Sequence, residues 1–330
     1  MSIRTTSAGP AGARILGVGA YRPQRVVTND EVCELIDSSD EWIRERSGIV
    51  SRHRAAAGET VVDLAEAAAR VALERAGVAP GDVDAVIVAT ITHMFQTPSA
   101  ATLLAHRLGT DGPMAIDLSA ACAGFCHGVG LANDMIRAGS ARTVLVVGAE
   151  VMSQIIDPTD RGSAFIFGDG AGAVVVGGAD EPGIGPTVWG SDGGQWDLIR
   201  QTDPWVAAAP AGHPWVFMAG PAVFRWAVWE MAPIARKAAE AAGVGIDDLT
   251  AFVPHQANGR IIDAMAKQIQ LPASVLVARD ITTTGNTSGA SVPLAIDALL
   301  AEHPEASGGT ALLIGFGAGL SYAAQVVRLP

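Results

Sequence analysis

Cysteine is scarce in this 330-residue chain, which has only Cys33, Cys122 and Cys126. Their spacing forms no CxxC pair and no histidine ladder, so neither a disulfide framework nor a structural zinc site is indicated. A cysteine that matters here is more chemical than structural, and a reducing cytoplasm suits the composition. Lysine is scarcer still: Lys237 and Lys267 are the whole complement. In all, 22 Lys and Arg face 34 Asp and Glu, a net charge of −12. A surface that acidic repels phosphate backbones, so nucleic acid is not an expected partner. Charged residues make up only 17% of the chain and hydrophobic ones 49%, which excludes a disordered chain and leaves enough apolar surface for a large core. Long uninterrupted apolar runs are missing too. Residues 1–13 carry one arginine and no apolar run of seven, and are expected to be a loose tail, not a signal peptide. The 18-residue stretch free of charge, 310–327, is broken by Gly315, Gly317, Gly319, Ser321 and Gln325. That pattern suits two buried strands joined by a tight glycine turn, and no membrane span.

Glycine, by contrast, is plentiful. Its 38 copies exceed the roughly 7% average and fall singly at element ends, as close-packed strand-to-helix turns require. The chain also contains a repeat. AGVAPGDVDAVIVA starts at Ala76 and AGVGIDDLTAFVPH at Ala242. Each copy follows an amphipathic helical pattern, 61–75 and 223–241, and gives a short apolar strand, 85–89 and 251–255. AACAG at 120–124 then leads through a helical stretch to TVLVVG at 143–148. Likewise TTGNTSG at 283–289 leads through a helix over 292–302 to TALLIG at 310–315. Apolar strands alternating with helices imply sheets buried on both faces, so the spacing predicts a duplicated α/β protein with mixed sheets. The expected organisation is a tail (1–13), an N-terminal half (14–181) and a C-terminal half (182–330).

Ligands in such folds gather at strand carboxyl ends, and the unusual residues sit there. Cys122 lies among small residues where a helix begins, and the positive end of a helix favours thiolate. Taken alone, such a cysteine is more often a buried hydrophobe, the reading that suits Cys126. His255 ends a repeated strand after Pro254, which turns the chain out of the sheet. Asn286 sits in a glycine-bracketed turn, where asparagine commonly serves local hydrogen bonding. Jointly, however, Cys122, His255 and Asn286 offer a nucleophile with two hydrogen-bond donors.

AACAGF, DPTDRG, FGDGAGA, PHQAN, GNTSGASVP and GFGAGLS, in this order from about Arg14 onward, resemble the β-ketoacyl-acyl-carrier-protein synthase III family of the thiolase superfamily. The resemblance implies a five-layer αβαβα fold, a homodimer, and condensation of an acyl-CoA primer with malonyl acyl carrier protein. Cys122, His255 and Asn286 match its catalytic triad. The backbone N–H groups of Cys122 and Ala318 match its oxyanion hole, with alanine at 318 where many relatives carry glycine. Phe316 matches the aromatic beside the malonyl carboxylate. CoA recognition maps to Trp42, Arg46 and Arg161 around the adenine and phosphates, to Asn258 and Gly220 along the pantetheine tunnel, and to Arg260 at its mouth. Gly259 replaces a bulkier residue there. Arg225, Arg260 and Lys267 are the expected docking cations for an acidic carrier protein. Thr97 replaces a bulky aromatic that reaches across the dimer to close the acyl pocket, so a primer longer than acetyl or branched is expected, with Phe95 and Leu320 as further pocket residues. The chemistry needs no metal or redox cofactor. Three alternatives stay open: a starter-unit priming ketosynthase of a polyketide pathway, an acyltransferase that forms no carbon–carbon bond, and a non-catalytic dimer partner.

Overall fold

The computed structural model describes residues 9–204 and 213–330. The first eight residues of the expected tail lie outside the described residues, and the first strand begins at Gly12 with Ala13 fully buried. The first half contains β1 (Gly12–Tyr21), a short antiparallel pair β2 (Arg25–Thr28) and β3 (Ser51–Arg54), then β4 (Ala85–Ala89), β5 (Met114–Leu118), β6 (Thr143–Val151) and β7 (Asp169–Ala179). The second contains β8 (Val188–Ser191), an antiparallel ribbon of β9 (Ile199–Gln201) and β10 (Val216–Met218), then β11 (Ala251–Pro254), β12 (Leu276–Val277), β13 (Thr310–Gly317) and β14 (Ser321–Arg328).

Two five-stranded sheets result, ordered β1-β7-β6-β4-β5 and β12-β11-β13-β14-β8. Read from the matching end, the second is the first repeated. The β5-β4-β6 and β12-β11-β13 ladders are parallel, and the next two strands of each sheet add antiparallel. The alternation along each strand explains the layering. Ile87 and Val146 face one side, joining Phe125 and Val129 of helix Gly124–Arg137 and Val292 and Ile296 of helix Ser291–Glu302 in the core between the sheets. Val86, Val88 and Val147 face the other side, against helices Val61–Ala76 and Ala100–Leu108. In the second sheet Phe252, Leu312 and Ile314 meet a third helical layer that includes Met231, Ala235 and Met265. Helix, sheet, helix, sheet, helix make the expected five layers. Stretch 310–327 is β13 and β14 joined at 318–320, where Gly319 takes a φ of 127°. Among the described residues no helix is long and apolar enough to cross a membrane.

The helix expected over 223–241 is two helices, Gly220–Trp229 and Met231–Ala241. Pro233 has no N–H for the Trp229 carbonyl, so the hydrogen-bond ladder breaks one turn earlier, at Glu230.

The halves interlock through glycine. A Cβ on Gly148 of β6 would collide with the Gly289 carbonyl and stand 3.0 Å from the Ala290 Cα. At the matching place on β13, a Cβ on Gly315 would stand 2.9 Å from the Cys122 carbonyl and 3.0 Å from the Ala123 Cα. Each central strand therefore needs glycine where the other half's turn crosses it.

Candidate active site

Cys122 lies in a single 3-10 turn, Ala121–Ala123, that runs into helix Gly124–Arg137. Ala121 enters it at a φ of 44°, a strained conformation for a residue with a Cβ and one that gathers at functional sites. Cys122 is half-buried at the wall of a cavity of about 1100 Å³. Burial pushes its thiol up to about 12, the nearby carboxylate of Glu150 adds to this, and the Ser288 hydroxyl opposes it at 3.6 Å. The resting group is a thiol, so the helix end alone does not make the nucleophile: a proton must leave during attack. Cys126, one turn on, is fully buried in the inter-sheet core.

His255 follows β11 and is 2% exposed. Its N–H donates to the Ile314 carbonyl at 2.7 Å, and Nδ1 meets Ser291 Oγ at 2.6 Å. Burial holds the ring down to about 3, so it stays a neutral imidazole. Phe316 stands edge-on to it at 5.3 Å. The Asn286 backbone is held from both sides: its N–H donates to the Ile166 carbonyl and its carbonyl accepts from Gly168. Its side-chain Oδ1 accepts from the Ser288 N–H at 2.8 Å, which leaves the Nδ2 hydrogens as donors. Cys122, His255, Asn286 and Phe316 all line the one cavity, with Ala318 at its rim. Gly317 packs directly on Cys122: a Cβ there would lie 3.0 Å from its Sγ and 3.1 Å from its backbone nitrogen.

The same cavity reaches Trp42, Arg46, Gly220 and Asn258. Trp42 carries the Arg161 guanidinium at 4.7 Å and that of Arg46 at 5.5 Å from its ring centroid, with Phe165 edge-on at 5.3 Å. Asn258 caps helix Gly259–Gln268 by accepting from the Arg260 N–H, and its Nδ2 donates to the Arg46 carbonyl at 3.0 Å. Gly259 has a local reason: a Cβ there would lie 2.8 Å from the Ser47 carbonyl oxygen, where two helices meet. Arg260 rests on the Phe224 ring, which lines the cavity, and Arg225, Arg260 and Lys267 are exposed on neighbouring helices without lining it themselves.

One expected pocket residue stands elsewhere. Leu320 is fully buried in the outer core of the second sheet, because the glycine turn before it sends its side chain inward. Thr97 is exposed on the loop between β4 and helix Ala100–Leu108 and does not line this chain's cavity. Phe95 lines the cavity while remaining 69% exposed. Sequence reasoning also missed Ser288, which meets Cys122 and Asn286, Ser291, which meets His255, and Glu150, which holds Ser288. One signal was available: Glu150 is the lone charge in the strand TVLVVGAEV.

Comparison with known proteins agrees with this geometry. Residues 116–193 match the family model described as 3-oxoacyl-[acyl-carrier-protein] synthase III, and residues 239–329 match its C-terminal part. The chain is 57% identical over 321 residues to a β-ketoacyl-[acyl-carrier-protein] synthase III of Streptomyces glaucescens, covering 96% of each chain. It is 55% identical over 328 residues to the mycobacterial enzyme of Mycobacterium tuberculosis, covering 98% of each. Among solved structures, the priming β-ketosynthase of the R1128 polyketide pathway superposes with a TM-score of 0.97 at 49% identity, over 100% of this chain and 99% of that one. The 3-oxoacyl-(acyl carrier protein) synthase III of Pseudomonas aeruginosa superposes with 0.90 at 40% identity, over 97% and 98%. With its duplicated fold and Cys–His–Asn cavity, the chain belongs to the 3-oxoacyl-[acyl-carrier-protein] synthase III family, the condensing acyltransferases that initiate fatty acid synthesis.

Proposed function

We propose that Cys122 takes an acyl group from acyl-CoA, and that His255 and Asn286 then direct the decarboxylation of a malonyl carrier-protein thioester, whose carbanion attacks the acyl-cysteine. The observation that carries this reading is the convergence of one thiol and two neutral donors on a single cavity. Loss of CO2 leaves an enolate on the malonyl thioester oxygen. A neutral imidazole and an amide can donate to that oxygen without adding a repelling charge. Phe316 gives the malonyl carboxylate an apolar wall against His255, where losing charge as CO2 relieves desolvation. The backbone N–H groups of Cys122 and Ala318 are assigned to the oxyanion of the tetrahedral intermediates.

CoA is assigned to the arm of the cavity that runs past Asn258 and Gly220 to Trp42. Arg161 and Arg46 serve its phosphates and a purine stacks on the indole, for which Arg161 has to withdraw from the ring. The carrier protein is assigned to Arg225, Arg260 and Lys267. A homodimer is supported by the free edge of β5, which exposes Met114 and Ile116 beside Leu103, with Phe95 and Met94 on the neighbouring loop. In such a dimer Thr97 faces the partner's acyl pocket, and its small side chain favours a primer longer than acetyl or a branched one. Priming of a polyketide pathway is the second reading, favoured by the likeness to the R1128 ketosynthase.

The test incubates the protein with acetyl-CoA and with straight and branched four- to eight-carbon acyl-CoAs, locates the added mass, then supplies malonyl carrier protein. The expected result is acylation of Cys122, faster with the longer primers, followed by one CO2 per 3-oxoacyl product. Acyl transfer to the carrier without CO2 overturns the condensation reading.

A further inference from the structure

Glu150 has no part in the chemistry above, yet it is a carboxylate with no solvent exposure, two hydrogen bonds away from Cys122 Sγ. It is the penultimate residue of β6, and its two oxygens accept from four donors. Oε2 accepts from Thr92 Oγ1 at 2.6 Å, the Ile91 N–H at 3.1 Å and Thr90 Oγ1 at 3.2 Å; Oε1 accepts from Ser288 Oγ at 3.0 Å. Ser288 in turn accepts from the Cys122 thiol at 3.6 Å. A hydroxyl with one hydrogen and two lone pairs can do both at once, so the three groups form a directed chain: S–H to O–H to carboxylate. Ser288 holds this place at a φ of 48°, an expensive conformation for serine that persists when surrounding structure demands it.

We infer that Glu150, acting through the Ser288 hydroxyl, accepts the Cys122 proton during acylation, so that His255 is free to act only as a donor in the decarboxylation. The proton balance closes. The Cys122 S–H bond breaks as its electron pair forms the new C–S bond to the thioester carbonyl. The thiol proton passes to Ser288 Oγ, and the Ser288 hydroxyl proton passes to Glu150 Oε1. When the tetrahedral intermediate collapses, the C–S bond to CoA breaks. The proton then returns by the same two steps to the departing CoA sulfur, restoring the carboxylate and the hydroxyl.

Two observations favour Glu150 over His255 as acceptor. His255 is already committed at Nδ1 to Ser291, and burial holds it neutral, down to about 3. Burial pushes Glu150 the other way, up to about 7, so a proton arriving there is far better retained. Among the described residues the titratable group facing Glu150 is Cys122; its other partners are hydroxyls and one backbone N–H, from the β4 end and the 288 turn. A positive outcome on the thiol also moves the two groups from thiol beside anion to thiolate beside neutral acid, which avoids placing like charges together.

The inference rests on Cys122 being the acylated residue, so the experiment first locates the acyl mass on Cys122 in the unsubstituted protein; failure at that step contradicts the function and not the relay. Single-turnover acylation by acyl-CoA is then followed against pH, alongside malonyl decarboxylation, in Glu150→Gln and Ser288→Ala. Glutamine keeps the shape and an acceptor oxygen but takes no proton. The expected result is acylation at least 30-fold slower in either variant and no slower in the double variant. The rise of rate with pH, half complete near pH 7 and level above it, should disappear, and decarboxylation should fall less than fivefold. Equal loss of both half-reactions means a structural role and overturns the relay. So does faster acylation in Glu150→Gln, the sign expected if Glu150 acts only as a charge that raises the thiol. If Glu150→Gln does not fold, Ser288→Ala alone decides on the same readouts.

Discussion

The two halves of this molecule share a backbone and divide the chemistry. At the centre of each, a 3-10 turn opened by a positive φ, 44° at Ala121 and 48° at Ser288, runs into a buried helix. Each turn crosses a glycine of the other half's central strand, Gly315 under Cys122 and Gly148 under Gly289. Position for position, however, Cys122 corresponds to Gly289, and two residues past the strand glycines Gly317 corresponds to Glu150. The first-half turn carries a thiol and faces a bare backbone. Its counterpart carries no nucleophile, faces a carboxylate, and fixes Asn286 through the Ser288 N–H. The duplicated geometry is reused, and what differs is which side chain occupies each mirrored place.

Removing the nucleophile breaks this comparison most severely. Cys122→Ala turns the first turn into a near copy of its silent counterpart, and acylation should fall by roughly a thousandfold or more with the fold intact, measured by acyl mass and circular dichroism. Gly317→Ala sharpens the contrast at the facing strand. The residue is extended, so its backbone accepts alanine; the obstacle is the Cβ, 2.9 Å from Cys122 Cβ and 3.0 Å from Sγ. Displacing the thiol by a few tenths of an ångström should cost on the order of 10-fold in acylation against about 1–3 kcal/mol in stability, read from turnover and urea midpoints. The smallest effect lies in the mirrored strained residues. Ala121→Gly should raise stability by about 1 kcal/mol, since glycine takes a positive φ freely. Ser288→Gly should gain less, because it forfeits two hydrogen bonds along with the strain.

Much of this was legible in the chain itself. A repeat at Ala76 and Ala242 fixed two equivalent sheets, because burial on both faces leaves a continuous apolar strand that is hard to mistake. That Cys122, His255 and Asn286 share one cavity was legible because all three fall at turns following repeated elements. What escaped was whatever depends on the direction of a side chain after a turn or on contacts far apart in sequence. Leu320 is expected in the acyl pocket, and the turn at Gly319 sends it into the core. Glu150 and Ser288 meet across 138 residues, and no local period announces such a contact. The single helix expected over 223–241 failed on Pro233, whose missing N–H acts on a carbonyl four residues back.

The division of labour between the halves is tested most directly in His255→Ala. Acyl-CoA is added first and acyl-Cys122 is quantified by mass; malonyl carrier protein is then added and CO2 is counted in the same sample. The account predicts near-normal acylation, within fivefold, and decarboxylation reduced by roughly 100- to 1000-fold, as for a lost donor to a developing oxyanion. Acylation lost in step with decarboxylation would contradict it, because the nucleophile would then depend on the histidine of the other half.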